Sequence, residues 1–171
     1  MDLIFSVLAL AAACAGAWRD FKTHKIPNRL TMAAMGGGLL LRLVIGGIPG
    51  VLSGLAGFCM GAAFLLLWFA GALKAGDIKM YMAIGVLGGW RFCLNSAVYS
   101  ILMGGAAGLG MMMLKKNGRQ TLKKLKHYFI NIFLTRRFTM YQGDQSSYFC
   151  FGIFIAGGTL AALLRQILQV V

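Results

Sequence analysis

The sequence predicts an all-α, polytopic membrane protein of about six transmembrane helices, and three observations predict it. Of 171 residues, 59% are hydrophobic and only 12% charged, with mean hydropathy +0.76; a soluble domain carries about twice that charge. A soluble chain of this length has too little interior to hide so much apolar surface. The apolar residues also gather into runs near the length that crosses a hydrocarbon core about 30 Å thick. Glycine is abundant at 24 residues while proline occurs twice, which suits helices packing closely in lipid. The length predicts one integral membrane domain over residues 1–171.

The runs follow in order. Leu3–Trp18 begins behind an acid, Asp2, with no basic stretch before it, so it reads as a retained span rather than a cleaved signal. Leu30–Ile45 follows Ile26-Pro27-Asn28; Pro27 sets the turn into the helix, with Asn28 or Thr31 as its cap. Val51–Leu73 carries Gly54, Gly57 and Gly61 as a packing surface. Ile78–Trp90 is short, Leu94–Leu114 is full length, and Tyr148–Leu168 closes the series. Between the last two, Leu122, Leu125, Phe129, Ile132 and Phe133 recur at helical spacing against Lys123, Lys124 and Lys126. That pattern predicts a helix lying in the membrane interface.

The net charge is +13, but the basic residues sit between apolar runs rather than on a soluble face. This points to anionic membrane lipids as the partner and away from nucleic acid. Placing the Arg19–Arg29 loop in the cytoplasm puts fourteen of the seventeen basic residues on that side, as the positive-inside rule requires. Only Arg42, Arg91 and Arg165 fall toward the other face. Both termini are then external, and the protein sits in the cytoplasmic (inner) membrane. Cys14, Cys59, Cys93 and Cys150 are dispersed with no CxxC pair, so neither a metal site nor a disulfide framework is expected. Nothing in the sequence specifies an oligomeric state.

The chain has four acids, Asp2, Asp20, Asp77 and Asp144, and no glutamate. Asp20 ends the first run and Asp77 opens the fourth, so alternating crossings bring both to the cytoplasmic boundary. Acids beside apolar spans are costly and point to function. Two neighbouring carboxylates cannot both ionise easily, so one holds a proton while the other is anionic. Such a pair performs acid–base chemistry on a carbonyl with no metal or organic cofactor. Plainer roles exist for each: Asp77 as a helix N-cap, Asp20 as a solvated partner of Arg19 and Lys22.

The surroundings of the two aspartates carry a resemblance. Asp20-Phe-Lys-Thr-His-Lys-Ile-Pro-Asn28 resembles the Asp-(x)5-Ile-Pro-Asn segment of the type IV prepilin peptidases. Gly76-Asp77-Ile-Lys79, followed by Gly88-Gly89-Trp90, is similar to that family's GxGD segment and its Gly-Asp-x-Lys continuation. Phe151-Gly-Ile-Phe-Ile-Ala-Gly-Gly158 is a weaker likeness to the family's final span. The resemblance implies an aspartyl endopeptidase that cuts the basic leader of prepilin or pseudopilin precursors after a glycine, at the cytoplasmic face. Asp20 and Asp77 would be its catalytic pair, with Ile26, Pro27, Asn28, Lys74, Gly76 and Lys79 shaping the site.

The chain departs from the family pattern in places. Lys74 stands where GxGD has its first glycine, and Lys79 is not expected to face Asp77. The first cytoplasmic loop is only about ten residues, so the large cysteine-bearing domain of bifunctional members is not expected, nor is N-methylation; short peptidases of tight-adherence pilus systems are the nearer likeness. Two other classes fit the same spans: an inactive assembly scaffold, favoured by Lys74, or a small transporter with the aspartates lining an ion path.

Overall fold

The computed structural model describes residues 2–23, 26–69, 73–114 and 150–169, and these are helical almost throughout. Five helices follow one another: α1 (Asp2–Thr23), α2 (Asn28–Ala63), α3 (Leu65–Phe69), α4 (Ala75–Leu114) and α5 (Phe151–Leu168). His24, Asp144 and the expected interfacial helix around Leu122–Phe133 lie outside the described residues.

The two long helices are each folded back on themselves at a glycine. In α2 the break is Gly47 (φ 57°, ψ −150°), and in α4 it is Gly89 (φ 82°, ψ 173°). Positive φ strains any residue with a Cβ, which is why glycine occupies both turns. The return of α2 is visible in its own contacts, since a Cβ built on Gly50 would lie 2.5 Å from the carbonyl oxygen of Arg42. In α4 the Cys93 thiol donates to the Tyr81 carbonyl at 3.3 Å, whereas twelve residues of straight helix span about 18 Å. The glycine-rich break between the second and third expected runs thus becomes a helical reversal, and the second reversal falls at the end of the fourth expected run.

Three stretches among the described residues are long and apolar enough to cross a membrane: Leu3–Thr23, Asn28–Phe69 and Phe151–Leu168. The expected count of about six spans therefore stands at three by length and composition, with α2 extending over both the second and the third expected run. The outer surface agrees with a lipid environment. Val44, Leu168, Leu66 and Ile48 are all more than 70% exposed, an apolar exterior that a monomeric soluble protein avoids.

The interior is assembled by close backbone approach and small polar groups. The second arm of α2 lies directly on the first arm of α4. A Cβ on Gly57 would overlap the Gly85 carbonyl, and one on Gly61 would come within 2.6 Å of the Met82 backbone. This is the packing surface expected of Gly54, Gly57 and Gly61, and it relies on dispersion at backbone contact because lipid supplies no hydrophobic drive between helices. Elsewhere Ser96 and Thr159 share a buried 2.8 Å hydrogen bond between α4 and α5. The Ser6 hydroxyl donates to Gln166 at 2.7 Å between α1 and α5.

Two local expectations are corrected. α1 runs to Thr23, not Trp18, because Trp18 and Lys22 stack as a cation–π pair (5.0 Å) and long basic side chains snorkel to the interface while the backbone stays helical. α2 does start at Pro27-Asn28, but no side chain caps it; the Thr31 hydroxyl instead donates to the Asn28 carbonyl at 3.0 Å.

Candidate active site

Asp20 lies in the last turn of α1 and Asp77 in the first turn of α4. Both are almost fully buried, at 4% and 3% exposure, and both line one cavity of about 490 Å³. Ile26, Pro27, Asn28, Lys74, Ala75, Gly76 and Lys79 complete its wall. All eight residues singled out from the sequence therefore meet around one space, although 57 positions separate the two acids in the chain.

Each carboxylate is gripped by a backbone donor on one oxygen. Asp77 Oδ2 accepts the Lys74 N–H at 3.0 Å, an acid three residues into a helix reaching back to the residue before it, as in a capping box. Asp77 is therefore a helix-capping residue as well as a wall of the cavity. Asp20 Oδ2 accepts the Gly152 N–H at 3.0 Å, where the start of α5 offers unsatisfied amides and the positive end of its dipole. Among the described residues neither Oδ1 carries a hydrogen bond, so each acid keeps an oxygen for water or a carbonyl.

Burial pushes the Asp77 carboxyl up from the ordinary 3.8 to about 6; the Lys74 amide opposes the rise, the Asp20 charge adds to it, and the Lys74 ammonium opposes it weakly. The Lys74 ammonium favours the ionised carboxylate. Desolvation outweighs it, and Asp77 takes up a proton near neutrality. A raised carboxyl value favours the folded state below the unfolded value and loses that contribution as pH rises through about 6. At neutral pH the ionised group thus costs on the order of 3 kcal/mol. Asp77→Asn is expected to raise the melting temperature of the purified protein at pH 7.5 and to leave it unchanged at pH 4. An equal offset at both would contradict a buried, proton-hungry Asp77. Lys74→Gly keeps the amide and removes the ammonium, so the ionisation seen in the pH–rate profile should move upward.

The remaining wall residues tie the two motifs together. Lys79 does not pair with Asp77; its Nζ donates to Asn28 Oδ1 at 2.8 Å, joining the start of α2 to α4 beside the cavity. Gly76 faces Ile26, whose Cβ would stand 3.5 Å from a Cβ added there, an ordinary contact. Gly152 is the residue the sequence did not assign to the site. A Cβ on it would lie 2.9 Å from both Cβ and Oδ2 of Asp20, so α5 can approach Asp20 only through a glycine. Its one signal was the weak Phe151–Gly158 likeness. Among the described residues no group of three or more metal-binding side chains occurs.

Two curated relatives, each described as a prepilin leader peptidase/N-methyltransferase, one from Aeromonas salmonicida strain A449 and one from Aeromonas salmonicida, are 30% identical over 105 residues. The match takes in 57% of this chain and 36% of each relative, so the chain spans about a third of their length. No solved structure matches it. The sequence profile of the type IV leader peptidase family covers residues 5–109, which include both aspartates and every wall residue of the cavity. With well over half its length in that match, the chain belongs to the type IV leader peptidase family.

Proposed function

We propose that the chain is an aspartyl endopeptidase that removes the basic leader of type IV prepilin or pseudopilin precursors. Cleavage follows a glycine at the cytoplasmic face of the inner membrane. The observation that carries this reading is the meeting of Asp20 and Asp77, from two separate motifs, on one cavity at one end of the helices. One carboxylate takes a proton from water as the water attacks the scissile carbonyl. The other, as the acid, hydrogen-bonds the carbonyl oxygen and later protonates the leaving amine. Asp77, with its raised value near 6, suits the acid role, and Asp20 the base. No cofactor takes part.

Lys74 in place of the motif glycine supplies the site with a backbone N–H, which any residue but proline would provide. The substitution therefore lends little to an inactive scaffold. Both acids stand at helix ends rather than mid-helix, which disfavours an ion path. The N-methyltransfer in the relatives' names is not part of the proposal, since only four residues join α1 to α2, too few for an inserted domain. The test is co-expression with a precursor carrying a basic leader, a glycine and then an apolar helix. Cleavage shortens the precursor on a gel, and a full-length precursor beside abundant enzyme would sink the reading.

The topology proposed with it has six crossings: α1, the two arms of α2, the two arms of α4, and α5, with both termini external and the basic loops inside. A reporter fused after Lys126 should then behave as cytoplasmic and one fused at the C-terminus as external. Matching signals from the two fusions would rule this topology out.

A further inference from the structure

Arg42, Arg91 and Arg165, the three basic residues that the charge asymmetry leaves on the non-cytoplasmic side, come from three different helical segments. The fold brings all three to one cavity of about 290 Å³, with Ser53, Asn95 and Gln166 among its polar lining and no aspartate among the described residues that line it. This cavity lies far from the catalytic one. Phe5, stacked 4.7 Å from the Arg42 guanidinium, precedes Asp20 on α1 by fifteen residues, about 22 Å of helix. Asp77 to Gly89 on α4 and Gly152 to Arg165 on α5 each span a further estimate of about 18–20 Å. Three independent rulers thus put the arginines at the opposite end of the molecule.

The cavity has one fixed and two available guanidinium groups. Arg42 is buried and donates through Nε and Nη2 to the Leu87 carbonyl at 3.2 and 2.7 Å, which secures the end of the first arm of α4. Arg165 Nη1 reaches only neutral acceptors, Asn95 Oδ1 at 3.4 Å and Tyr99 OH at 3.5 Å. Arg91 stacks 5.2 Å from the Trp90 ring. The second arm of α4 starts at the Gly89 turn, so the positive end of its dipole adds to the same field. Guanidinium forks match phosphate oxygens in pairs and stay charged at every accessible pH. Val44 and Ile48, two and six residues after Arg42, and Leu168, next to the lining residue Gln169, are strongly exposed, so the apolar exterior extends to this end of the helices, where acyl chains can lie.

We infer that this cavity binds a phosphodiester anion, supplied by the headgroup of an anionic phospholipid in the leaflet opposite the aspartates. This exposed apolar exterior is what favours a lipid over a soluble phosphate. In neutral detergent, phosphatidylglycerol should raise the melting temperature of the full chain, while phosphatidylcholine and glycerol phosphate at the same concentration should not. Arg91→Gln should weaken the phosphatidylglycerol response about tenfold, and the Arg91→Gln/Arg165→Gln pair should abolish it. Lys22→Gln, basic but at the other end of α1, should leave it intact. An equal response to phosphatidylcholine, or a full response in both arginine variants, overturns the site. An equal response to glycerol phosphate overturns its lipid source. The readout is binding alone, so it stands or falls separately from the peptidase reading.

Discussion

Asp20→Asn and Asp77→Asn are each expected to abolish precursor cleavage, and the double variant to be barely worse than either. Each acid holds one oxygen against a backbone amide while lining the shared cavity, so on the proposed mechanism the pair works as one proton-handling unit. Asparagine preserves the shape but can neither accept the proton from water nor donate one back. Losses from groups that act together are strongly non-additive. Asp144→Asn, outside both motifs, is the control and should process normally. The assay is precursor processing at matched membrane abundance. Near-native cleavage by either single variant would refute the paired-carboxylate mechanism. Because the Asp77 carboxylate is strained by burial at neutral pH, its inactive asparagine variant should also be the more heat-stable protein, an inverse relation between activity and stability that a misfolded variant could not produce.

Gly152→Ala is expected to lower cleavage by about one to two orders of magnitude without unfolding the protein. The new methyl would meet Asp20 at 2.9 Å on both its Cβ and Oδ2, and at least one of these sits too near the backbone to swing away. Asp20 must then shift by several tenths of an ångström, and displacements approaching 1 Å can cost about a hundredfold in rate. The effect should fall on kcat rather than KM, since the substrate's apolar helix does not depend on that contact. Gly36→Ala is the matched control, because nothing lies within 4 Å of a Cβ there. Equal rates for the two variants would remove Gly152 from the site.

Much of this was legible in the sequence because lipid makes charge expensive. With only four acids in 171 residues, the two beside apolar runs stood out, and their flanking Ile26-Pro27-Asn28 and Gly76-Asp77 segments proved to line the same cavity. The helix break at Gly47 was legible as a gap between runs, while the one at Gly89 lay just inside the end of a run. What was hidden depended on backbone rather than side-chain type. The Lys74 and Gly152 amides that orient the acids look like those of any residue in a sequence. Hydropathy also placed the end of α1 too early, since it registers Arg19 and Lys22 as a stop although the helix continues beneath them. The gathering of Arg42, Arg91 and Arg165 was likewise invisible, because positions so far apart share no sequence spacing.

The hydrogen bond from Gly152 to Asp20 joins positions 132 apart, and this has a consequence for the order in which the molecule is made. Asp20 is synthesised 132 residues before Gly152, so the growing polypeptide carries that carboxylate without its amide partner until α5 has been made. The amide arrives only when α5, the last of the described helices, docks against α1 and α4. A chain stalled or clipped before that point contains both acids and the whole of the family-matched segment, residues 5–109, yet lacks the amide that aims one of them. On the proposed mechanism such a copy holds both acids with Asp20 unoriented, and it should cleave the precursor poorly.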